Sequence, residues 1–290
     1  MQQNLHQEAL RLTRRDRVPQ GTQVALAPGL AVGGRAFVVM AGPCAVEGGA
    51  EIGEAARLVA EAGVPVLRGG GFKPRTSPYA FQGLGAAGVR LLSAAAARHG
   101  LLAVSEILDG ADLRAFECVA LLQVGARNMQ NFALLKQLAR LRRPVLLKRG
   151  PSATVEEWLL AAEYLLAGGN EQVILCERGS RGFEPATRNT LDLSAVALAK
   201  RLSHLPVLVD PSHAAGRREL VRPLSLAAAA AGADGLLVEV HPRPREALCD
   251  GAQALLPGDL RDLLNQLEPV LAAVDRALWR PAQRERAAAR

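Results

Sequence analysis

Between Leu67 and Gly83 the chain reads LRGGGFKPRTSPYAFQG, three consecutive glycines followed by a lysine, an arginine and a Thr-Ser pair. Glycines at 69–71 allow the backbone to approach a ligand closely. Lys73, Arg75, Thr76 and Ser77 are donors suited to an anion. Further cations stand in similar short motifs: Arg68 before the glycines, Arg127 in GARNMQN, Lys148 in PVLLKRG and Arg178 in CERGSRGFEPATRN. Planar guanidinium forks and compact ammonium groups are the expected receptors of phosphate and carboxylate. A second set has a different chemistry. Cys44 in GPCAVE, His213 in DPSHAAG, Glu239 in EVHP and Asp250 in CDG offer a thiolate, an imidazole and two carboxylates. Such a mixed S/N/O set suits manganese, iron, cobalt or zinc better than magnesium or calcium. Taken singly, a strand cysteine is ordinarily core and a DPSH loop is ordinarily a turn. His241 is a rival ligand, although it precedes Pro242 and could simply shape a strand exit. The two sets carry meaning only if the fold brings each together.

Short β-branched runs bounded by turn signals recur along the chain. They fall at 36–42, 64–70, 101–107, 119–126, 144–150, 172–179, 206–212 and 235–242. Amphipathic helical stretches separate them, among them EIGEAARLVAEAG, MQNFALLKQLARL and TVEEWLLAAEYLLAGG, the last opened by a Thr154/Glu157 capping box. Only 107–118 leaves room for no more than a minimal helix. Eightfold strand–helix alternation, with strands apolar throughout, predicts a parallel sheet closed into a (β/α)8 TIM barrel of the α/β class. A doubly wound open sheet is the alternative, weakened by the lack of a G-x-G-x-x-G after the first strand. The stretch 22–34 reads as a β-hairpin plugging the N-terminal end. The expected division is an N-terminal arm and hairpin over 1–34, the barrel over 35–275 and a basic tail over 276–290.

Under this assignment nearly every unusual polar residue falls at the C-terminal end of a strand, where the active sites of α/β barrels lie. In a closed barrel the eighth strand pairs with the first, so Cys44, His213, Glu239 and Asp250 converge. Six cations facing one bowl would repel each other unless anionic ligands offset them. A metal half beside an anion half fits condensation of phosphorylated substrates around a Lewis acid.

Composition narrows the class. The chain has 290 residues, 49% of them hydrophobic, and a formal charge of +7. It has no apolar run long enough to span a bilayer and no secretory signal, so a cytoplasmic enzyme is expected. Much of the positive excess lies in the Arg-rich ends without interleaved aromatics, which argues against nucleic-acid binding. Four cysteines, none in a C-x-x-C pair, make no disulfide framework.

AGPCAVE, LRGGGFKPRTSPYAFQGLG, QVGARNMQNF, PVLLKRG, RGFEPATRNTLDLSAV, DPSHAAG and EVHPRPREALCDGAQAL together resemble the 3-deoxy-D-arabino-heptulosonate 7-phosphate (DAHP) synthases. The resemblance spans roughly 35–256 and is to the short, Bacillus-like subgroup related to the 3-deoxy-D-manno-octulosonate 8-phosphate synthases. It implies condensation of phosphoenolpyruvate with erythrose 4-phosphate and release of inorganic phosphate, the first step of the shikimate pathway. By matching motif it implies one divalent ion held by Cys44, His213, Glu239 and Asp250. It implies a phosphoenolpyruvate site of Arg68, Lys73, Arg127, Lys148 and Arg178, with Glu106 near the enol. Pro74, Arg75, Thr76 and Ser77 then receive the aldose phosphate, and Lys73, Cys44 and His213 carry the catalytic roles. KPRTS and GARNMQN favour the heptulosonate enzyme over its octulosonate sister, which has K-A-N-R-S-S at the first of these. Ser180, Gly182 and Cys249 depart from the family pattern. Cys249, where serine is common, raises an oxidative pairing with Cys44.

A catalytically idle barrel and a variant using another aldose phosphate remain the competing classes. A homo-oligomer assembled through the N-terminal arm is expected, with no nucleic-acid or membrane partner. Only about 34 residues precede the first barrel strand, fewer than a regulatory domain needs. The expectation is therefore an enzyme insensitive to phenylalanine and tyrosine. Steady-state rates with either amino acid at low concentration should match the untreated rate, and inhibition would contradict this.

Overall fold

The structure is a computed structural model that describes residues 10–281. The chain begins with a hairpin, β1 (Val24–Ala27) and β2 (Leu30–Val32), paired antiparallel and apart from the main sheet. Eight parallel strands follow: β3 (Ala36–Gly42), β4 (Val66–Arg68), β5 (Leu102–Glu106), β6 (Leu121–Val124), β7 (Val145–Lys148), β8 (Val173–Glu177), β9 (Val207–Val209) and β10 (Gly235–Glu239). Each pairs with the next, and β10 pairs back onto β3 with Gly235 opposite Val38 and Glu239 opposite Gly42. The sheet is closed, so the barrel expectation holds and the open sheet does not. All eight strands lie within the ranges read from the sequence.

Around the barrel run α1 (Gly49–Glu61), α2 (Ala86–Arg98), α3 (Phe132–Ala139), α4 (Val155–Ala167), α5 (Leu193–Leu202), α6 (Pro211–Ala215), α7 (Arg218–Ala230) and α8 (Pro257–Ala273). The short interval after β5 holds a 3-10 turn, Gly110–Phe116, capped by Asp109. Thr154 and Glu157 form the reciprocal capping box that opens α4. The five-residue helix α6 was hidden in the sequence because DPSHAAG also reads as a turn. Asp210 caps it and Pro211 occupies its first turn, where a missing N–H costs nothing.

Alternation along each strand divides the apolar residues into two layers. Val38, Met40, Val66, Val104, Leu121, Leu146, Ile174, Leu208 and Leu237 fill the barrel interior, joined by Val24, Leu30 and Val32 of the hairpin. The hairpin therefore closes the N-terminal end, as expected. Phe37, Val39, Leu67, Leu122, Leu147, Leu175, Val207 and Val238 face the helices, with Trp158 buried among them. The N-terminal arm is anchored by Glu163, which accepts the backbone N–H groups of Leu12 and Thr13 at 2.8 and 2.7 Å.

At the other end of the chain, β11 (Ala277–Leu278) adds to β3, and Arg276 bonds to Asp234 at 2.6 Å. The start of the segment read as a basic tail is thus built onto the barrel, while 282–290 lie outside the described residues. Gly42 ends β3 at φ +150°, and a Cβ there would lie 2.2 Å from the Arg68 carbonyl oxygen on the neighbouring strand. Gly42→Ala should lower stability by about 3 kcal/mol, read as an earlier transition in thermal unfolding followed by circular dichroism. An unchanged melting temperature would show that the β3–β4 contact can open without cost.

Candidate metal and anion site

Strand periodicity sets the site. Continuing the inward-facing positions one step past the apolar interior gives Arg68 after Val66, Glu106 after Val104 and Lys148 after Leu146. The same step gives Asp210 after Leu208 and Glu239 after Leu237. Charged groups thus replace apolar ones where the barrel opens at its C-terminal end.

Cys44, His213, Glu239 and Asp250 converge as the sequence predicts, with one donor atom from each lying within 4.8 Å of the others. Cys44 Sγ is 3.6 Å from His213 Nε2 and donates to Asp250 Oδ2 at 2.9 Å. His213 Nε2 is 3.1 Å from Glu239 Oε1. Burial pushes the His213 pKa down to about 4, so the imidazole is neutral near pH 7. Its Nδ1 is bonded to Asp210 Oδ2 at 2.7 Å, which leaves the Nε2 lone pair facing the other donors. Burial also raises the Cys44 thiol pKa, with Cys249 and Glu239 adding to the effect. A bound cation would displace that proton. Asp250 has φ 54°, an uncommon conformation for a non-glycine residue that turns its carboxylate back to the barrel. Burial opposes its charge, but Lys73, the Cys44 hydrogen bond and His213 outweigh this and hold its pKa well below the usual range.

The Lys73 ammonium sits among these donors, in contact with Cys44 Sγ and 3.2 Å from Asp250 Oδ2. An anion-rich pocket that already gathers a positive charge, with thiol, imidazole and carboxylate donors, fits a borderline divalent ion. His241, the rival ligand, stands apart. Its Nδ1 accepts the Arg243 N–H at 3.0 Å, and its Nε2 faces Glu47 and Glu51 at 3.8 and 3.7 Å. Cys44 and Cys249 are free thiols packed together beside Phe81.

Above the donors lies a cavity of about 430 Å³. Lys73, Pro74, Arg75, Thr76, Ser77, Glu106, Arg127, Lys148 and Arg178 all line it, together with His213 and Asp250. Arg127 donates to the Pro74 carbonyl at 3.3 Å, tying the loop after β6 to the loop after β4. Arg68 sits beneath the cavity, buried, donating to Glu239 Oε1 at 2.8 Å and to the Cys44 carbonyl at 3.4 Å. A larger groove of about 780 Å³ on the outer wall, between α2 and the 3-10 turn, is lined largely by alanine and lies away from these groups.

Several residues of the site were not singled out from the sequence. Arg188 lines the cavity and donates to Asp250 Oδ1 at 3.0 Å and to Gln253 at 3.2 Å. Gln253 in turn donates to Glu239 Oε2 at 2.7 Å, fixing that carboxylate. Arg188 stands in the quoted RGFEPATRN motif, but its place opposite the last strand follows only from the fold. Arg149 and Glu177 face outward behind Lys148 and Arg178, bonded at 3.0 Å, with Arg149 also reaching Asp192.

A (β/α)8 barrel with a four-donor cation pocket beneath a cation-lined mouth defines a class of metal-assisted enzymes acting on anionic substrates. Residues 21–275 match the DAHP synthetase I family, and the chain belongs to it. It is 49% identical over 265 residues to the phospho-2-dehydro-3-deoxyheptonate aldolase of Thermotoga maritima, covering 91% of this chain and 78% of that protein. The 2-dehydro-3-deoxyphosphooctonate aldolase of Acidithiobacillus ferrooxidans is more distant, 31% identical over 254 residues, with 81% and 89% covered. The crystal structure of the Thermotoga maritima DAHP synthase superposes with a TM-score of 0.89 at 48% identity, covering 93% of this chain and 79% of that one. A truncated form of 3-deoxy-D-arabino-heptulosonate 7-phosphate synthase from Thermotoga maritima gives 0.87 at 44% identity, covering 93% of this chain and all 100% of that one.

The Arg149–Glu177 pair generates a stability prediction. Arg149→Ala strands a buried carboxylate and should cost about 3–5 kcal/mol. Urea unfolding of Arg149→Ala and of Arg149→Ala/Glu177→Gln measures this, and the double variant should recover part of the loss. Equal stability of all three proteins would show that the pair carries no weight.

Proposed function

We propose that the chain is a 3-deoxy-7-phosphoheptulonate synthase, condensing phosphoenolpyruvate with erythrose 4-phosphate and water to give DAHP and inorganic phosphate. The observation that carries this reading is the stacking of a cation-lined cavity directly over the four-donor pocket. Cys44, His213, Glu239 and Asp250 would hold the divalent ion, whose chemistry when bound is Lewis-acid polarisation of an aldehyde oxygen.

The remaining roles belong to the chain's own groups. Arg127, Lys148 and Arg178 receive the phosphate and carboxylate of the enol substrate through charge-assisted hydrogen bonds, each contributing about 1.5–3 kcal/mol. Arg68 acts from below, adding positive charge beneath the enol site and holding Glu239 at 2.8 Å. Arg75, Thr76 and Ser77, half-buried to exposed at the cavity rim, receive the aldose phosphate, and Pro74 stiffens their approach. Burial works against the Lys73 charge, but Cys44, Glu239 and Asp250 outweigh it and raise its pKa. An ammonium held charged beside both substrates can donate a proton or stabilise developing negative charge. Glu106 accepts from Gln123 at 3.0 Å, which aims its carboxylate at the cavity beside the enol carbon. The order of bond making follows from the substrates. The enol carbon attacks the aldehyde carbon, water adds to the resulting cationic centre, and phosphate leaves.

The residues 73–77 that separate the sister enzymes line this cavity, which favours the four-carbon aldose phosphate. The protein, incubated with phosphoenolpyruvate and a divalent ion, should release phosphate with erythrose 4-phosphate and far more slowly with arabinose 5-phosphate. Chelator treatment should abolish the activity, and manganese, iron, cobalt or zinc should restore it. Full turnover after chelation would remove the metal role. Preference for the five-carbon sugar would move the chain to the sister activity.

A further inference from the structure

Asp210 belongs to neither half of the site, yet it is bonded to both. It follows β9 directly, is fully buried, and its Oδ1 accepts the His213 backbone N–H at 2.9 Å as the cap of α6. Its Oδ2 takes two further donors, His213 Nδ1 at 2.7 Å and Lys148 Nζ at 2.5 Å. A single oxygen atom therefore joins the imidazole of the four-donor pocket to a lysine of the anion wall.

We infer that Asp210 is a positioning residue that couples the two halves, so that an anion on Lys148 tightens the metal site and a metal on His213 tightens the anion site. This rests on the functional reading above, in which the four donors hold a divalent ion and Lys148 receives substrate. The carboxylate oxygen has limited electron density to share between two donors. An anion that draws the Lys148 protons toward itself lessens the demand on Oδ2. More of that density then supports the His213 Nδ1–H bond, and Nε2 becomes a stronger electron donor toward a cation. The coupling is reciprocal, as linkage requires. Direct attraction between a bound cation and a bound anion adds a second contribution, but that one does not pass through Asp210 and survives its replacement.

Manganese binding to the metal-free enzyme, followed by the electron paramagnetic resonance signal of the free ion, tests the coupling with and without phosphoenolpyruvate. In the wild type, phosphoenolpyruvate should lower the manganese Kd by about fivefold or more. In Asp210→Asn the Kd should rise by about 10–100-fold, and the effect of phosphoenolpyruvate should fall to less than about half its wild-type factor, the remainder being the direct attraction. An undiminished effect in Asp210→Asn overturns the inference while leaving the functional reading intact. If the wild type takes up no manganese, or Cys44→Ala takes it up equally, the functional reading fails and the coupling falls with it.

Should Asp210→Asn not fold, Lys148→Gln and Arg178→Gln test the coupling from the other side. Each removes one cation from the wall, but Arg178 is bonded to the carbonyls of Gly179 and His213 rather than to Asp210. Without phosphoenolpyruvate, Lys148→Gln should tighten manganese binding several-fold and Arg178→Gln by less than half as much. Equal changes overturn the coupling.

Discussion

The contact on which the site depends is the pairing of β10 with β3. Gly235 opposite Val38 starts a register that ends with Glu239 opposite Gly42, two residues before Cys44. Without that closure, Cys44 and Glu239 would stand on opposite edges of an open sheet. A slip of one residue would turn Glu239 toward the helices, because side chains alternate along a strand. Tight backbone approach guards this register where it starts, since a Cβ on Gly235 would lie 2.0 Å from the Val38 carbonyl. On the other side of β3, a Cβ on Gly42 would meet the Arg68 carbonyl of β4. The glycines therefore act on the chemistry through the sheet, not through the loops they border.

Closure concentrates charge, and buried charge tolerates few arrangements. Arg68 with Glu239, Lys148 with Asp210 and Arg149 with Glu177 are all buried pairs. Taking each pair out of water costs several kcal/mol per ion, which attraction offsets only in good geometry. Such pairs add little stability over an apolar substitute, but each member fixes where its partner points. Glu239 shows this most fully, accepting from Arg68 at one oxygen and from Gln253 at the other. Its direction is therefore set from two sides at once.

What could be read in the sequence follows from the range of the interactions. The eight strands were legible because parallel strands covered on both faces are apolar throughout, and Thr154 with Glu157 announced a helix start by local chemistry. Cys44, His213, Glu239 and Asp250 could be grouped because barrel topology alone makes the first and last strands neighbours. Asp210 was passed over because Asp-Pro-Ser-His reads as a turn, whereas the carboxylate caps a five-residue helix and reaches across to β7. Arg188 and Gln253 depend on a loop-to-loop contact that no spacing encodes. His241 looked like a ligand by type, but a local hydrogen bond from Arg243 engages its Nδ1 away from the cluster.

The strand ends also explain why support and chemistry are so closely interleaved. Lys148 points into the barrel and Arg149 away from it, and the same holds for Arg178 and Glu177 on the next strand. The inward pair lines the cavity, while the outward pair joins β7, β8 and, through Asp192, the start of α5. Glu177 Oε1 also accepts the Gly179 N–H at 2.7 Å, holding the turn from which Arg178 projects. Adjacent residues therefore serve function and stability separately, yet one cannot move without displacing the other. Two like-charged side chains in sequence, Lys148 and Arg149, have opposite tasks because the pleat sends one into the cavity and the other to a buried carboxylate. Exchanging their order would preserve the composition and charge of the strand while removing both the cavity's cation and its support.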